Sequence, residues 1–290
     1  MRLAGVSPGA LRLAVVGHVE WVQFARVDHV PVPGEVVHAS DTFEEPAGGG
    51  AVAAVQLALL AGACTLITAL GDDQLGRRSV ERLSELGVTV RASFRDTPTR
   101  SAVTLLDAAG ERTITTFGER LDPLGGDSSG WEGFENLDGV YFTAGDRQAL
   151  ERARSAARVL TASPRARHAL GQGVELDALV LSGHDQIELR AAQPAEADAR
   201  LLIYTEGGRG GHFRYRTGSE GRWDAAELPG PPVDSYGCGD SFAAGVTYGL
   251  ADGRELPEAL AVGARCGAAC LATRGPYGGR PGLGARSFEN

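Results

Sequence analysis

Six short apolar runs rich in β-branched residues recur along the chain, at 11–17, 64–70, 138–143, 157–162, 177–182 and 200–205, most of them separated by helical patterns. A strand covered on both faces reads as an unbroken apolar run, and helices between such strands carry the chain from one parallel strand to the next. The pattern predicts an α/β fold, a doubly wound, mostly parallel sheet flanked by helices. The helices are expected at 51–61, 77–86, 147–157, 164–172, 185–192, 239–251 and 255–273. Pro257 falls near the start of the last, where a missing N–H costs nothing. A hairpin is expected at 211–227.

Two other stretches do not fit a covered sheet. Segments 19–30 and 35–44 alternate polar and apolar residues around Pro31-Val32-Pro33-Gly34, and 99–117 alternates around Ala109-Gly110. Strands with one wet face read this way, so these stretches are expected to form a small accessory sheet. The Gly/Ser-rich stretch 122–130 reads as a loop, and the Gly/Arg-rich residues from Tyr277 onward as a loose tail. Residues 51–70 are long and apolar enough to suggest a membrane span, but Gln56 and Gly62 divide them into a buried helix and a buried strand.

Composition removes several function classes. A net charge of −9 argues against nucleic acid or an anionic membrane as partner. The chain contains no lysine, so all 28 of its basic residues are arginine, which excludes Schiff-base chemistry and a Walker A loop. The four cysteines form no C-x-x-C pair; Cys266 and Cys270 share a helix face, but two thiols alone make a poor metal site. No H-x-x-x-H or H-E-x-x-H spacing occurs. Ser7-Pro8-Gly9 and Arg12 interrupt any secretory apolar run, and a cytoplasmic location is expected.

Gly48-Gly49-Gly50-Ala51-Val52-Ala53 satisfies G-x-G-x-x-A, the dinucleotide fingerprint, but the polar Asp41–Pro46 stretch before it is no buried strand. The G-x-S-x-G matches at Gly5–Gly9 and Gly126–Gly130 lack the strand and helix of a nucleophile elbow. The segment Asp234-Ser235-Tyr236-Gly237-Cys238-Gly239-Asp240 is stronger, because it runs into the apolar helix Ser241-Phe242-Ala243-Ala244-Gly245-Val246. Glycines at a helix N-terminus let backbone N–H groups converge on an anion at the positive end of the dipole. Asp240 is then either a base beside that anion or an ordinary helix-capping acid. Thr205-Glu206-Gly207-Gly208-Arg209-Gly210-Gly211, at a strand end, is a second place for backbone to approach a phosphate.

With Gly48–Gly50, ALGDDQLG (69–76) and DSYGCGDSFAAG (234–245) in this order, the chain resembles the PfkB family of carbohydrate kinases, the ribokinase-like fold, from about residue 11 to 275. The resemblance implies one kinase domain over 1–290, with lid segments of about 18–45 and 97–119 inserted in it. It makes Asp240 the catalytic base and Gly237, Cys238 and Gly239 the anion hole. Thr205, Gly207 and Gly210 would cradle ATP, with Asp234 at a loop where relatives place a monovalent cation such as K⁺. Ser182-Gly183-His184-Asp185 stands where the family writes N-x-x-E, so only Asp185 keeps an acid for Mg²⁺, through water. Gly48, Gly49 and Gly50, with His18 and Glu20, would bind the acceptor.

Val22 and Ala53 replace polar side chains that ribokinases direct at their sugar. An apolar wall there is expected to make D-ribose a poor substrate. The implied activity is ATP-dependent phosphorylation of a hydroxymethyl group on a sugar or sugar-like molecule. A nucleoside or vitamin kinase and a non-catalytic sugar-binding relative are the alternatives. A homodimer paired through the lid is expected.

Overall fold

The computed structural model describes residues 11–278. The Gly5–Gly9 match lies outside the described residues, as does all but the beginning of the expected tail. Nine strands form the main sheet in the order β13-β12-β11-β10-β9-β8-β1-β4-β5. β1 (Leu13–Val16), β4 (Cys64–Gly71), β5 (Val88–Arg95), β8 (Leu137–Phe142), β9 (Ala157–Ala162), β10 (Ala178–Ser182) and β11 (Leu201–Thr205) run parallel. β12 (Gly211–Tyr215) and β13 (Glu220–Trp223) add an antiparallel hairpin at one edge.

Helices cover both faces. The apolar sides of α1 (Gly49–Ala61), α2 (Gln74–Glu85), α5 (Cys238–Ala251) and α6 (Leu256–Leu271) share one core with β1 and β4, through Val15, Leu57, Leu66, Leu83, Phe242 and Leu260. α3 (Arg147–Ala156) and α4 (Gln186–Ala192) close the other face on Val16, Val140, Leu150, Leu160 and Leu179. This is the doubly wound sheet the apolar runs imply. α5 and α6 approach closely because glycine faces glycine: a Cβ on Gly245 would stand 2.8 Å from Gly263 Cα.

The second sheet has four strands in the order β3-β2-β6-β7, made by β2 (Glu20–Arg26), β3 (Asp41–Ala47), β6 (Ser101–Leu106) and β7 (Arg112–Phe117). Phe24 packs its inner side, stacked on Phe43 at 4.5 Å and edge-on to Tyr236 at 5.0 Å. Every residue of the outermost strand, β7, is exposed. Asp73 ties this sheet to the main one: it caps α2 by accepting the Gly76 N–H at 2.8 Å, and it takes the Thr99 N–H and O–H just before β6. The GDDQLG segment is therefore a brace between the sheets.

Four expectations need correction. Residues 35–40 are not strand: β3 begins only at Asp41, and Val36 is 81 % exposed, so the alternation there has no covered face to serve. Val88–Arg95 is an unexpected strand, β5, at the edge of the main sheet; with one side wet, it lacks the continuous apolar run of its neighbours. The expected helix 164–172 is only a 3-10 turn, Pro164–Ala169, broken at Arg167 with φ 33°. The expected tail begins with an anchored residue, since Tyr277 is buried and donates its O–H to Pro46 O at 2.7 Å.

Candidate active site

The chain runs from β1 to β4 and β5 on one side of the sheet, then returns to build β8, β9, β10 and β11 on the other. Between β1 and β8 the order reverses, and such a point opens a crevice beyond the carboxyl ends of the strands. Gly17 after β1 and Thr143 after β8 meet there so tightly that a Cβ on Gly17 would lie 2.5 Å from Thr143 Cγ2. A cavity of about 520 Å³ spreads from this point between the two sheets.

One end of the cavity is built from backbone. Gly237 takes the left-handed conformation, φ 82°, and turns the chain into α5. The first intrahelical bond is Ser241 N–H to Gly237 O, 2.9 Å, so the N–H groups of 238–240 precede the ladder at the positive end of the dipole. Asp240 is in the same first turn. Burial and the neighbouring Glu188 raise its carboxyl above the usual range, while Arg165 and Arg112 oppose the rise. Gly49, at the start of α1, leaves just enough room: a Cβ there would stand 2.8 Å from Asp240 Oδ1.

The other end is built from side chains. His18 and Glu20 are 7 % and 6 % exposed, and both line the cavity. Burial, helped by Arg120, Arg100 and Arg165, keeps the His18 ring well below its ordinary pKa and therefore neutral; its Nδ1 is buried without a partner. Burial raises Glu20, against the pull of Arg100, whose Nε lies 3.4 Å from Glu20 Oε2. Tyr236 donates to Glu20 and accepts the Gly48 N–H at 3.1 Å. Gly48 has φ 87°, and a Cβ there would meet the His18 ring at 3.1 Å.

Among the expected site residues, His18, Glu20, Gly48, Gly49, Asp185, Thr205, Gly207, Gly237, Gly239 and Asp240 come together around this cavity. Gly50, Cys238, Gly210 and Asp234 do not line it. Gly50 packs on the backbone of Gly17 and His18, and Gly210 turns the chain against Trp223. The Cys238 thiol points to Asp234 O at 3.8 Å and toward Cys270, a contact that, with burial, raises its pKa. Val22 and Ala53 are buried in the core behind the wall, so they form no apolar face toward an acceptor.

Asp185 is the N-cap of α4, and its Oδ1 accepts the N–H groups of Ile187 and Glu188. The acid set deepest in that wall is instead Glu188, which, like Arg165, was not expected there. The signal was present: Asp185-Gln186-Ile187-Glu188 is a capping-box pattern, which assigns the first acid to the helix. No group of three or more His, Cys, Asp or Glu side chains suited to a metal occurs among the described residues. The carboxylates of Asp185, Glu188 and Asp240 around one cavity fit an Mg²⁺ that arrives on phosphates and keeps its waters.

The loop at Asp234 does not fit a K⁺ ion. Its carboxylate oxygens accept the Tyr236 and Gly275 N–H groups, while Arg26 and Arg112 donate to Val233 O and Ser235 O. The donor set is already occupied by the protein.

Residues 10–281 match the model of the pfkB family carbohydrate kinases. The chain belongs to that family. A ribokinase of Dictyostelium discoideum is 32% identical over 114 residues, 39% of this chain and 36% of that protein. Acarbose 7(IV)-phosphotransferase of Actinoplanes sp. is 43% identical over 71 residues, 24% of each chain. These alignments therefore span about a third and a quarter of the two relatives. Among solved structures, a microbiome-derived acarbose kinase superposes with a TM-score of 0.74 at 23% identity, covering 97% of this chain and 98% of that one. The ribokinase of Cryptococcus neoformans in complex with ADP gives 0.71 at 20% identity, over 97% and 99%. These likenesses establish the ribokinase-like fold.

Proposed function

We propose that the protein phosphorylates a hydroxymethyl group of a sugar or sugar-like alcohol at the expense of ATP, with Asp240 as general base. The observation that carries this reading is the pairing of Asp240 with the N–H groups of 238–240, at the bottom of a cavity whose far wall is His18 and Glu20. A carboxylate beside an anion site, facing hydroxyl-binding groups, is what transfer to an alcohol needs. Asp240 accepts the hydroxyl proton as the oxygen attacks the γ-phosphorus. The backbone N–H groups receive the charge that develops on the phosphoryl oxygens, already oriented before the reaction begins.

Neutral His18 and Glu20, beside Arg100, hold the acceptor by its hydroxyls. Thr205 and Gly207, at the end of β11, form the nucleotide side of the same cavity. Mg²⁺ riding on ATP would be met by Asp185, Glu188 and Asp240 and would neutralise phosphate charge. The lid sheet excludes water, which competes as acceptor. K⁺ has no part in this reading.

The chain acts as one domain, with the lid segments 18–45 and 97–119 closing over the sheet, in the cytoplasm where ATP is found. Among the described residues no helix is long and apolar enough to cross a membrane. A homodimer through the lid covers the exposed Ile114 and Phe117 of β7 (40% and 53% exposed) and its open edge. Light scattering at micromolar concentration should give twice the mass of 30.2 kDa; a monomer mass removes the dimer. The activity is tested by ADP release from ATP against a panel of pentoses, hexoses, keto-deoxy acids, oligosaccharides and nucleosides. Release that depends on a sugar supports the reading, and release that depends on none of them overturns it.

A further inference from the structure

The cavity holds an arginine for which the scheme above has no task, paired with Glu188. Arg165 lies on the 3-10 turn after β9, and its guanidinium lines the cavity with 48% of the side chain exposed. Its Nη2 lies 2.8 Å from Glu188 Oε1 and 3.8 Å from Asp185 Oδ2. Glu188 is fixed in turn: its side chain is 12% exposed, and its Oε2 accepts the Ser182 N–H at 2.8 Å. The backbone of Arg165 is pinned as well, with its N–H donating to Ser163 Oγ at 3.2 Å and its carbonyl accepting from Arg120 Nη1 at 2.9 Å. An arginine held at both ends, yet open to a cavity, is preorganised to meet a ligand.

The position of that charge is informative. It bears on His18 and Glu20 at the acceptor end and on Asp240 at the phosphate end. The guanidinium therefore serves both halves of the cavity, and a phosphoryl group passing from one to the other must travel within its field. During transfer the negative charge spreads over three equatorial oxygens, more than a row of N–H groups on one side can meet. Any permanently charged side-chain cation here must be arginine, because the chain has no lysine. Arg112, which also lines the cavity, already gives its Nη1 to Ser235 O and Oγ.

We infer that Arg165 is a catalytic residue whose guanidinium, held in place by Glu188 as a positioning residue, contacts the equatorial oxygens of the phosphoryl group in transit. The inference rests on the kinase reading above. In the step, the acceptor oxygen–phosphorus bond forms while the bond from the γ-phosphorus to the β,γ-bridging oxygen breaks. The electron pair of the broken bond stays on ADP, and the hydroxyl proton goes to Asp240. Arg165 exchanges no proton and makes no covalent bond; it offsets charge that is largest midway through the transfer.

The test compares wild type, Arg165→Gln, Arg165→Gly and Glu188→Gln in two readouts. The first is binding of ADP with and without aluminium fluoride, a mimic of the phosphoryl group in flight. The second is kcat with ATP and whichever panel alcohol the wild type turns over. Arg165→Gln should bind ADP within twofold of wild type yet lose at least tenfold of the tightening that fluoride brings. Its kcat should fall about 10²–10³-fold, below the full effect of an arginine finger because the backbone N–H groups remain.

Guanidinium chloride should restore part of the kcat of Arg165→Gly, a recovery that a folding defect would not show. Glu188→Gln should lose about tenfold in kcat, with less of the fluoride tightening lost than in Arg165→Gln. Fluoride tightening retained in Arg165→Gln, or a loss seen only as a shifted acid limb of the pH profile, overturns the inference while leaving the kinase reading standing. A wild type with neither fluoride tightening nor alcohol-dependent turnover overturns both.

Discussion

The two ends of the cavity are made of different materials. The phosphate end is main chain: a left-handed glycine, three N–H groups ahead of the α5 ladder and one carboxylate in the first turn. The acceptor end is side chain: His18, Glu20, Arg100 and Tyr236, arranged by mutual contacts and mostly buried. Backbone donors cannot be exchanged by mutation without breaking the turn that aims them, so the phosphate end has little freedom to vary. Side chains can be swapped singly, so the acceptor end sets which alcohol is accepted. Damage at the phosphate end should appear in kcat, and damage at the acceptor end in KM for the alcohol alone.

Short of removing a catalytic side chain outright, the largest effect is expected from crowding the seam between the ends. Gly49→Ala puts a methyl 2.8 Å from Asp240 Oδ1 and 3.0 Å from Thr143 Oγ1, so the base must move by several tenths of an ångström. Misplacement of a reacting group by up to about 1 Å costs up to about 10²-fold in rate, and steady-state kinetics should show the loss in kcat. A loss confined to KM would break the division between the ends. Next is Glu20→Ala, which leaves Arg100 and Tyr236 facing an empty wall. KM for the alcohol should rise about tenfold to a hundredfold, in line with 1–3 kcal/mol for an unmet polar partner, while KM for ATP stays within twofold.

A smaller effect concerns pH. Asp240 is raised by burial, with Glu188 adding to the rise, and it must be ionised to take a proton. As pH falls through its raised value, kcat should decline tenfold per unit, starting above the ordinary aspartate range near 4. Neutral His18, lowered by burial, should add no transition between pH 7 and 9. An acid limb at or below the ordinary aspartate value would show that Arg165 and Arg112 outweigh burial. The smallest effect is none: replacing Na⁺ by K⁺ should change kcat less than twofold, because Arg26 and Arg112 occupy the carbonyls a cation would use. Strong K⁺ activation would place the ion elsewhere.

The same division explains what could be read from the chain. Gly237 announces the phosphate end and Gly49 the seam beside it, because only glycine allows the left-handed turn and the close approach needed there. The covered strands announce themselves as apolar runs. β5 did not, because an edge strand with one wet face carries no such run, and the turn at 164–169 was hidden by residues that also suit a helix. Asp185 carries a second duty that residue type alone does not reveal, since its Oδ1 caps α4. The pairing of Glu188 with Arg165 becomes visible only in three dimensions, since it joins α4 to the turn after β9. Val22 and Ala53 failed the other way: a place on the lid strand or after the glycines does not say how deep the cavity reaches, and both side chains lie in the core behind it.

The central claim is that Asp240 removes the acceptor proton from within a backbone-built anion site. Asp240→Asn keeps the shape of the side chain and removes its basicity, so it tests that claim with little else disturbed. Alcohol-dependent ADP release should be measured for both proteins with the same sugar, alongside circular dichroism and the Kd for ATP. The account predicts unchanged folding, an ATP Kd within about threefold, and turnover reduced by about 10²–10⁴-fold, the usual contribution of a general base. Turnover by Asp240→Asn at the wild-type rate would contradict it and leave Asp240 as no more than an acid in the first turn of a helix.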